Sequence, residues 1–413
     1  MELHILDEGK RCLQCGKCTQ GCPVNTPIPQ MIKMLMEGNI KQAGEMLFKN
    51  NPMSVVCSLV CPHEAMCEGH CILGRKGSPI RISDIEHYVS DYYLNVMDLK
   101  PVAFKKQRVG IIGSGPAGIT LSFLLALKGY KVTMFESQDH IGGIMRYGIP
   151  AFRLPKDILD RMGKRLAEIG VKIRPNTRVG KIITLDDLFR DGYEAIFIGT
   201  GVWDPNSLSI KGESLGHVHY AIDYLRNPDV YHLGNKVCVI GGGNTAMDVA
   251  RTAIRHGAKD VYLLYRKEEE DISARKIEQE YARIDGVKFL LNVRPLEIVD
   301  GGLKVTRTEK TKNKGTVKWQ DIKGTEEFFT ADTVIIAAGQ GPKAHIVSHN
   351  RGLETDPRTK LVVTDTCGRT TREGVFASGD VVSGAKTVVE AVAVSKRVAD
   401  AMDNYLQGKT LNC

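Results

Sequence analysis

Arg108-Val-Gly-Ile-Ile-Gly113-Ser-Gly115-Pro-Ala117-Gly118 decides the fold of this chain. Val109 to Ile112 read as a buried strand, and the glycines that follow are spaced G-x-G-x-x-G. Behind them Ile119, Leu121 and Leu124 to Leu127 carry a helix that ends at Gly129. Lys131-Val-Thr-Met-Phe135 reads as a second strand leading into Glu136. Strand, glycine turn, helix, strand and acid in this order form the βαβ fingerprint of a dinucleotide site. Gly113 permits the tight turn, Gly115 lets a pyrophosphate approach the backbone, and Gly118 lets the helix pack on the strand. Ala117 lies in the same turn and counts with the dinucleotide contacts. The helix N-terminus faces the phosphates, and Glu136 is placed for the ribose hydroxyls.

A second copy follows in Lys236-Val-Cys-Val-Ile-Gly241-Gly-Gly243-Asn244-Thr245-Ala246, the permitted G-x-G-x-x-A variant. Its second strand, Val261 to Tyr265, ends in Arg266-Lys267 where the first copy has Glu136. An acid there suits an unphosphorylated ribose, and a cation accommodates a 2′-phosphate. The first site therefore suits FAD. The second suits NADPH, with NADH as the alternative donor, and Gly241, Gly243, Asn244, Thr245, Ala246, Arg266 and Lys267 are its contacts. The competing reading of Arg266 is a solvated charge. Strands at Ala195–Ile198 and within Ala331–Gly339 enter glycine turns. A later one runs into Gly379-Asp380 and is followed by a helix over Val388–Met402. Residues 309–324 read as an exposed hairpin turn.

The N-terminal segment has a different chemistry. Cys12-Leu-Gln-Cys15-Gly-Lys-Cys18-Thr-Gln-Gly-Cys22-Pro23 is C-x2-C-x2-C-x3-C-P. In that run three thiolates grip one iron–sulfur cube and the fourth can reach a second. Cys57, Cys61-Pro62, Cys67 and Cys71 follow, so eight of the eleven cysteines lie between positions 12 and 71. Clustered cysteine in a cytoplasmic chain points to metal more than to disulfides. Two cubes need eight ligands, and eight cysteines are present. A zinc knuckle or a disulfide frame is the competing reading. Between the two groups, Ile28, Met31, Ile32, Leu35 and then Ala43, Met46, Leu47 recur at helical spacing, and Asn50-Asn51-Pro52 stops the second helix. Cys57 and Cys61 stand one helical turn apart, so both can serve as ligands. Residues 79–99 read as a helix capped by Ser83 or Asp84, and Lys100-Pro101 as a linker.

The chain has 413 residues, 42% apolar and 25% charged, enough for two or three domains. No apolar run approaches a membrane span, and the N-terminus has neither a basic nor an apolar leader region, so the chain is expected in the cytoplasm without a membrane association. The formal charge of +8 is spread without a basic block, which argues against nucleic acid. No nucleophile or metal-hydrolase constellation stands out. The expected divisions are a helical iron–sulfur domain at 1–100, a flavin domain at 101–225 and 336–413, and a nicotinamide domain at 226–335.

Two nucleotide folds behind an eight-cysteine segment resemble the small subunit of bacterial glutamate synthase. They are equally similar to the electron-input half of dihydropyrimidine dehydrogenase, and to the large subunit of the bifurcating ferredoxin:NADP transhydrogenase. The resemblance covers essentially the whole chain. It implies an α/β flavoprotein with two Rossmann-like domains and parallel sheets, preceded by a small helical domain with two 4Fe-4S clusters. It implies that Gly379 and Asp380 contact FAD, that Gly142, Gly143 and Arg153 line it, and that Glu390 lies beside its ring system. It revises the cysteine arithmetic as well. One cube takes Cys12, Cys15, Cys18 and Cys71. The other takes Cys22, Cys61, Cys67 and a side-chain oxygen from Glu86, which leaves Cys57 out, with His87 a distant third candidate. The implied activity is a relay from NADPH through FAD and the clusters to a partner catalytic subunit carrying FMN, in a hetero-oligomer, with ferredoxin as a further partner. A thioredoxin-reductase-like enzyme would need a C-x-x-C pair inside a nucleotide domain, and the only such pairs lie in the cluster run. A free-standing NADPH diaphorase and a redox sensor are the remaining alternatives.

Overall fold

Apolar residues three and four apart give the N-terminal segment its helices. These are α1 (Glu2–Lys10), α2 (Ile28–Met36), α3 (Ile40–Asn50), α4 (Ser54–Val60) and α5 (Ile82–Val96). Met31, Ile32 and Leu35 of α2 close on Ala43 and Leu47 of α3 and on Ile82, Ile85 and Val89 of α5. The computed structural model describes residues 2–100, 103–180, 182–313, 316–342, 346 and 349–409. Pro101 of the expected linker and residues 314–315 of the expected hairpin turn lie outside them.

The start of α5 differs from expectation. Ser83 and Asp84 lie inside the helix, and Arg81 is its first flanking residue, without a side-chain cap. Carboxylates from elsewhere take the free N–H groups. Glu68 accepts from the Ser83 N–H at 2.8 Å and from its hydroxyl at 2.7 Å. Glu8 accepts from the Arg81 N–H at 3.1 Å. An acid at a helix N-terminus meets both the orphan donors and the dipole. Here it comes from tertiary packing, which a local capping rule does not see.

The chain forms two compact units. The first comprises Met1–Arg146, Ala151–Val202 and Pro342–Cys413. Its sheet is built from β1 (Arg108–Ile112), β2 (Lys131–Phe135), β3 (Lys172–Arg174) and β4 (Tyr193–Ile198). The late strand Val375–Ala377 pairs with β4 at one edge, and the order is Val375–Ala377, β4, β1, β2, β3, all parallel. Helices α6 (Pro116–Leu127), α7 (Lys156–Glu168) and α8 (Val388–Leu406) accompany it. The N-terminal helices α1 to α5 belong to this same unit. Phe48 of α3 meets Phe123 of α6 edge to face at 5.1 Å. Arg161 of α7 bonds Asp91 of α5 at 2.6 Å, and Arg165 donates to the Leu94 carbonyl at 3.0 Å.

The second unit holds Tyr147–Pro150 and Trp203–Gly341. Its parallel sheet runs in the order Val218–Tyr220, Thr333–Ile336, Lys236–Ile240, Asp260–Tyr265, Lys288–Leu291. Because Val218–Tyr220 joins this sheet, the unit begins well before the expected residue 226. An antiparallel group of Val293–Val299, Gly302–Asn313, Thr316–Asp321 and Glu327–Thr330 stands beside it in the chain. The hairpin pairs Thr308 with Asp321 and continues to Asn313 with Thr316. Among the described residues no helix is long and apolar enough to cross a membrane.

Candidate functional site

Crowding fixes the first glycine loop. Gly113 has φ +94°, and a Cβ there would stand 2.5 Å from the Gly199 carbonyl oxygen. At Gly118 a Cβ would collide with the Gly113 carbonyl oxygen. Gly115 differs, since nothing lies within 4 Å of where its Cβ would be. Its bare backbone therefore leaves room for a ligand and is not required by internal packing.

Two distant stretches reach this loop. The Gly142 N–H donates to the Ser114 carbonyl at 3.1 Å and to its hydroxyl at 3.1 Å. A Cβ on Gly143 would come within 2.9 Å of the Gly115 Cα. One on Gly379 would lie 3.3 Å from the Ala117 Cβ. The structure thus brings Gly113, Gly115, Ala117, Gly118, Gly142, Gly143 and Gly379 together at the C-terminal end of β1. Asp380 follows as the first residue of a short helix. Burial pushes its carboxyl up to about 6, the Lys386 N–H opposes that, and Glu390 adds to it. Arg153 is half-buried just ahead of α7.

Two acids have local duties that sequence reading did not assign. Glu136 is buried at the end of β2. One oxygen accepts from the Ser114 N–H at 2.9 Å and its hydroxyl at 2.5 Å, and the other from the Gln138 N–H at 2.8 Å and the Ser137 hydroxyl at 3.2 Å. It braces the glycine loop, and the long Ser137 bond is the one a ribose hydroxyl can replace. Glu390 forms a capping box at the start of α8. It accepts from the Thr387 N–H at 3.0 Å and its hydroxyl at 2.6 Å, while that hydroxyl accepts from the Glu390 N–H. The T-x-x-E spacing was the available signal.

The second loop lies between Lys236–Ile240 and the helix Asn244–Arg255. Gly241 has φ +151°, and a Cβ there would strike the Ala337 carbonyl. The Gly242 carbonyl accepts from the Ala274 N–H at 2.9 Å and the Ser273 hydroxyl at 3.2 Å, and Asn244 accepts from the Arg275 N–H at 2.9 Å. Residues 273–275 are thus stitched onto this loop. Gly243 and Thr245 are half-buried and Ala246 is buried. Arg266 is exposed, and among the described residues it has no carboxylate partner; Lys267 is half-buried beside it. Their main chain is fixed, since the Arg266 carbonyl accepts from the Thr308 hydroxyl at 2.8 Å and the Lys267 carbonyl from the Asn292 N–H at 3.2 Å. The cationic side chain can therefore move while its anchor does not.

The cysteines separate into two groups. Cys12, Cys15, Cys18 and Cys71 line one hollow, walled by Ile28, Ile32, Ile80 and Ile82. Burial pushes the Cys18 thiol up to about 11 and also raises Cys12. The second group is Cys22, Cys61, Cys67 and Glu86; burial raises the Cys22 and Cys67 thiols, the hydrogen bond with Cys57 and burial raise Cys61, and the Glu86 carboxylate adds to all three. Glu86 is itself pushed up to about 7 by burial, against a 2.6 Å hydrogen bond from Ser54. Two buried thiols, the half-buried Cys22 thiol and a buried carboxyl favour their neutral forms. A cationic iron–sulfur core is what makes them bind as anions. The donor chemistry of both groups fits such clusters. Cys57 is buried next to Cys61, hydrogen-bonds it, and accepts from the Asn51 amide at 3.4 Å. His87 shares a 3.2 Å bond with the Ser58 hydroxyl. Among the described residues no three His, Cys, Asp or Glu side chains gather around a point for a single ion.

Residues 107–395 match the pyridine nucleotide-disulphide oxidoreductase family, and residues 1–97 match dihydropyrimidine dehydrogenase domain II, 4Fe-4S cluster. The chain is 34% identical to the glutamate synthase (NADPH) small chain of Escherichia coli strain K12, over 97% of this chain and 91% of that one. It is 34% identical to the NADP(+)-dependent formate dehydrogenase subunit beta of Moorella thermoacetica, over 95% of this chain and 60% of that one. FprA from Mycobacterium tuberculosis superposes with a TM-score of 0.64 at 18% identity, covering 74% of this chain and 85% of that one. That likeness speaks for the fold alone. Matched along almost its whole length, the chain belongs to the glutamate synthase small chain-like family, with a 4Fe-4S region of the dihydropyrimidine dehydrogenase type ahead of a pyridine nucleotide-disulphide oxidoreductase domain.

Proposed function

We propose that this chain is an electron-input subunit that oxidises NADPH and delivers single electrons to a partner catalytic subunit, of the glutamate synthase or dihydropyrimidine dehydrogenase type. The observation that carries the reading is the convergence of Cys12, Cys15, Cys18 and Cys71 on one hollow, in the same compact unit as the Gly113–Gly118 loop. A nucleotide oxidoreductase with no onward acceptor has no use for such a thiol set. When bound, the cofactors supply the redox chemistry, with nicotinamide as the two-electron donor, flavin as the divider and clusters as one-electron carriers.

The chain's own residues bind and orient. Gly115 leaves backbone open to a pyrophosphate, Glu136 fixes the loop and offers an oxygen to ribose, and Asp380 sits beside Gly379 at the same end of the sheet. Asn244 and Thr245 begin the helix that faces the second pyrophosphate, and Arg266 offers an exposed guanidinium to a 2′-phosphate. The cluster ligands in this reading are Cys12, Cys15, Cys18 and Cys71, and Cys22, Cys61, Cys67 and Glu86. Two relatives support the subunit role by name, one a small chain of an NADPH glutamate synthase and the other a beta subunit of an NADP(+)-dependent formate dehydrogenase.

The test is an anaerobic pull-down of the tagged protein from its native cells, with mass spectrometry of what co-purifies. A large FMN-barrel subunit with a glutaminase domain, or a smaller FMN subunit with ferredoxin motifs, supports the reading and chooses between its two forms. A small flavin subunit points instead to transhydrogenation. Recovery of the chain alone, with full NADPH diaphorase activity, overturns the reading.

A further inference from the structure

The two thiol groups differ in their surroundings. Among the described residues no charged side chain lines the hollow at Cys12, Cys15, Cys18 and Cys71. The other group has a cation nearby. Lys396 lies midway along α8, half-buried, and its ammonium donates to the Asn50 side-chain oxygen at 3.0 Å. The Asn50 amide in turn donates to the Val24 carbonyl at 3.1 Å. Val24 is two residues past Cys22, whose carbonyl accepts from the Asn25 N–H at 2.9 Å. The Cys22 sulfur shares a 3.2 Å hydrogen bond with the Thr26 hydroxyl. One short network therefore links the helix of the flavin-side sheet to the Cys22 loop, with a fixed positive charge on it. Burial disfavours the charged ammonium, and Asp400 and Cys22 both favour it.

We propose that Lys396 tunes the redox poise of the cluster held by Cys22, Cys61, Cys67 and Glu86, stabilising its reduced form through the positive charge that Asn50 holds against the Cys22 loop. The inference rests on the relay reading above. Reduction adds one electron to the cluster and makes or breaks no bond, so the cluster becomes more negative by one charge. A cation fixed in a partly buried site, where screening is weak, favours that state. The apolar hollow of the other group lacks this help, so the two clusters are set at different potentials by the protein.

The experiment is an anaerobic potentiometric titration of the holoprotein, followed by electron paramagnetic resonance, for wild type, Lys396→Gln and Lys396→Arg. Gln keeps a donor for Asn50 and removes the charge, whereas Arg keeps the charge. In Lys396→Gln we expect the ratio of reduced to oxidised cluster at a given potential to fall about tenfold, a shift of about 59 mV for one electron. The midpoint of the cluster at Cys12, Cys15, Cys18 and Cys71 and the iron content should not change, and Lys396→Arg should behave as wild type. Unmoved midpoints in Lys396→Gln at full iron content overturn the proposal, as do equal shifts in Gln and Arg, which would mean that geometry and not charge matters. Wild-type protein without two clusters would overturn the relay reading itself, a distinct result.

Discussion

Glu86 shows how a single residue can be misread from its neighbours in sequence. Its spacing on α5 is that of an ordinary polar helix position, yet its side chain is buried, and its charge reaches Cys22, Cys61 and Cys67. A buried carboxyl with only one hydroxyl partner is costly unless a cation joins it. Cys57 competes for the same place, but its thiol is engaged with Cys61 and Asn51. Glu86→Ala is expected to lower iron content toward half while FAD stays bound. Iron and flavin counts on anaerobically purified protein check this, and unchanged iron would refute the ligand role. Cys57→Ala should leave iron close to wild type, so the two variants together distinguish the candidates.

At the scale of elements, the glycine loops were legible because a tight turn leaves few residue choices. Gly113, Gly118 and Gly241 stand where a side chain has no room, and that constraint is written in one-letter spacing. The start of α5 was not legible, because Glu8 and Glu68 approach it from other parts of the chain. The early start of the second unit was hidden for a similar reason, since Val218–Tyr220 is only three residues long and is a strand only because Thr333–Ile336 lies beside it. The strand Asp260–Tyr265 ends in Arg266, whose backbone is anchored and whose side chain is exposed. Arg266→Glu is expected to raise the KM for NADPH about ten- to a hundredfold more than that for NADH, since a charge-assisted hydrogen bond is worth about 1.5–3 kcal/mol. Steady-state kinetics with both donors checks it, and equal effects would sink the 2′-phosphate assignment. The end of α8 offers a second element-scale prediction. Asp403 is bonded by Lys128 at 2.8 Å and by the Tyr130 hydroxyl at 2.5 Å, with Lys105 at 3.3 Å. Burial alone would raise its carboxyl, but the bonds from Lys128, Tyr130 and Gln407 outweigh it and hold it below the usual carboxylate range. A depressed folded pKa contributes stability above the unfolded pKa and loses it as pH falls through the folded one. Asp403→Asn should therefore lower the denaturation midpoint at pH 7, and the gap from wild type should narrow as the pH drops below about 4. A gap independent of pH would refute the charge role.

At the scale of the whole molecule, the iron–sulfur segment behaves as part of the flavin unit and not as an appended domain. Phe48 packs on the fully buried Phe123. Arg161 and Arg165 of α7 hold the last turn of α5, and Lys396 of α8 holds Asn50. Removing residues 1–102 would bare the Phe123 face of α6, where burying one aromatic side chain is worth about 1.5–3 kcal/mol. It would also leave three cationic side chains without these partners. A chain beginning at residue 103 is thus expected to aggregate, or to melt well below the full-length protein and lose FAD. The isolated second unit, residues 203–341, has its own core around Val237, Val239, Ala250 and Leu263, so it should stay folded when the first unit is damaged. Calorimetry of the full-length protein, with and without iron, checks both statements. Chelation should lower the transition that releases flavin and leave a second transition in place. If the truncated chain proved monomeric, held FAD and melted with the full-length protein, the iron–sulfur segment would be an independent module and the shared unit would be wrong.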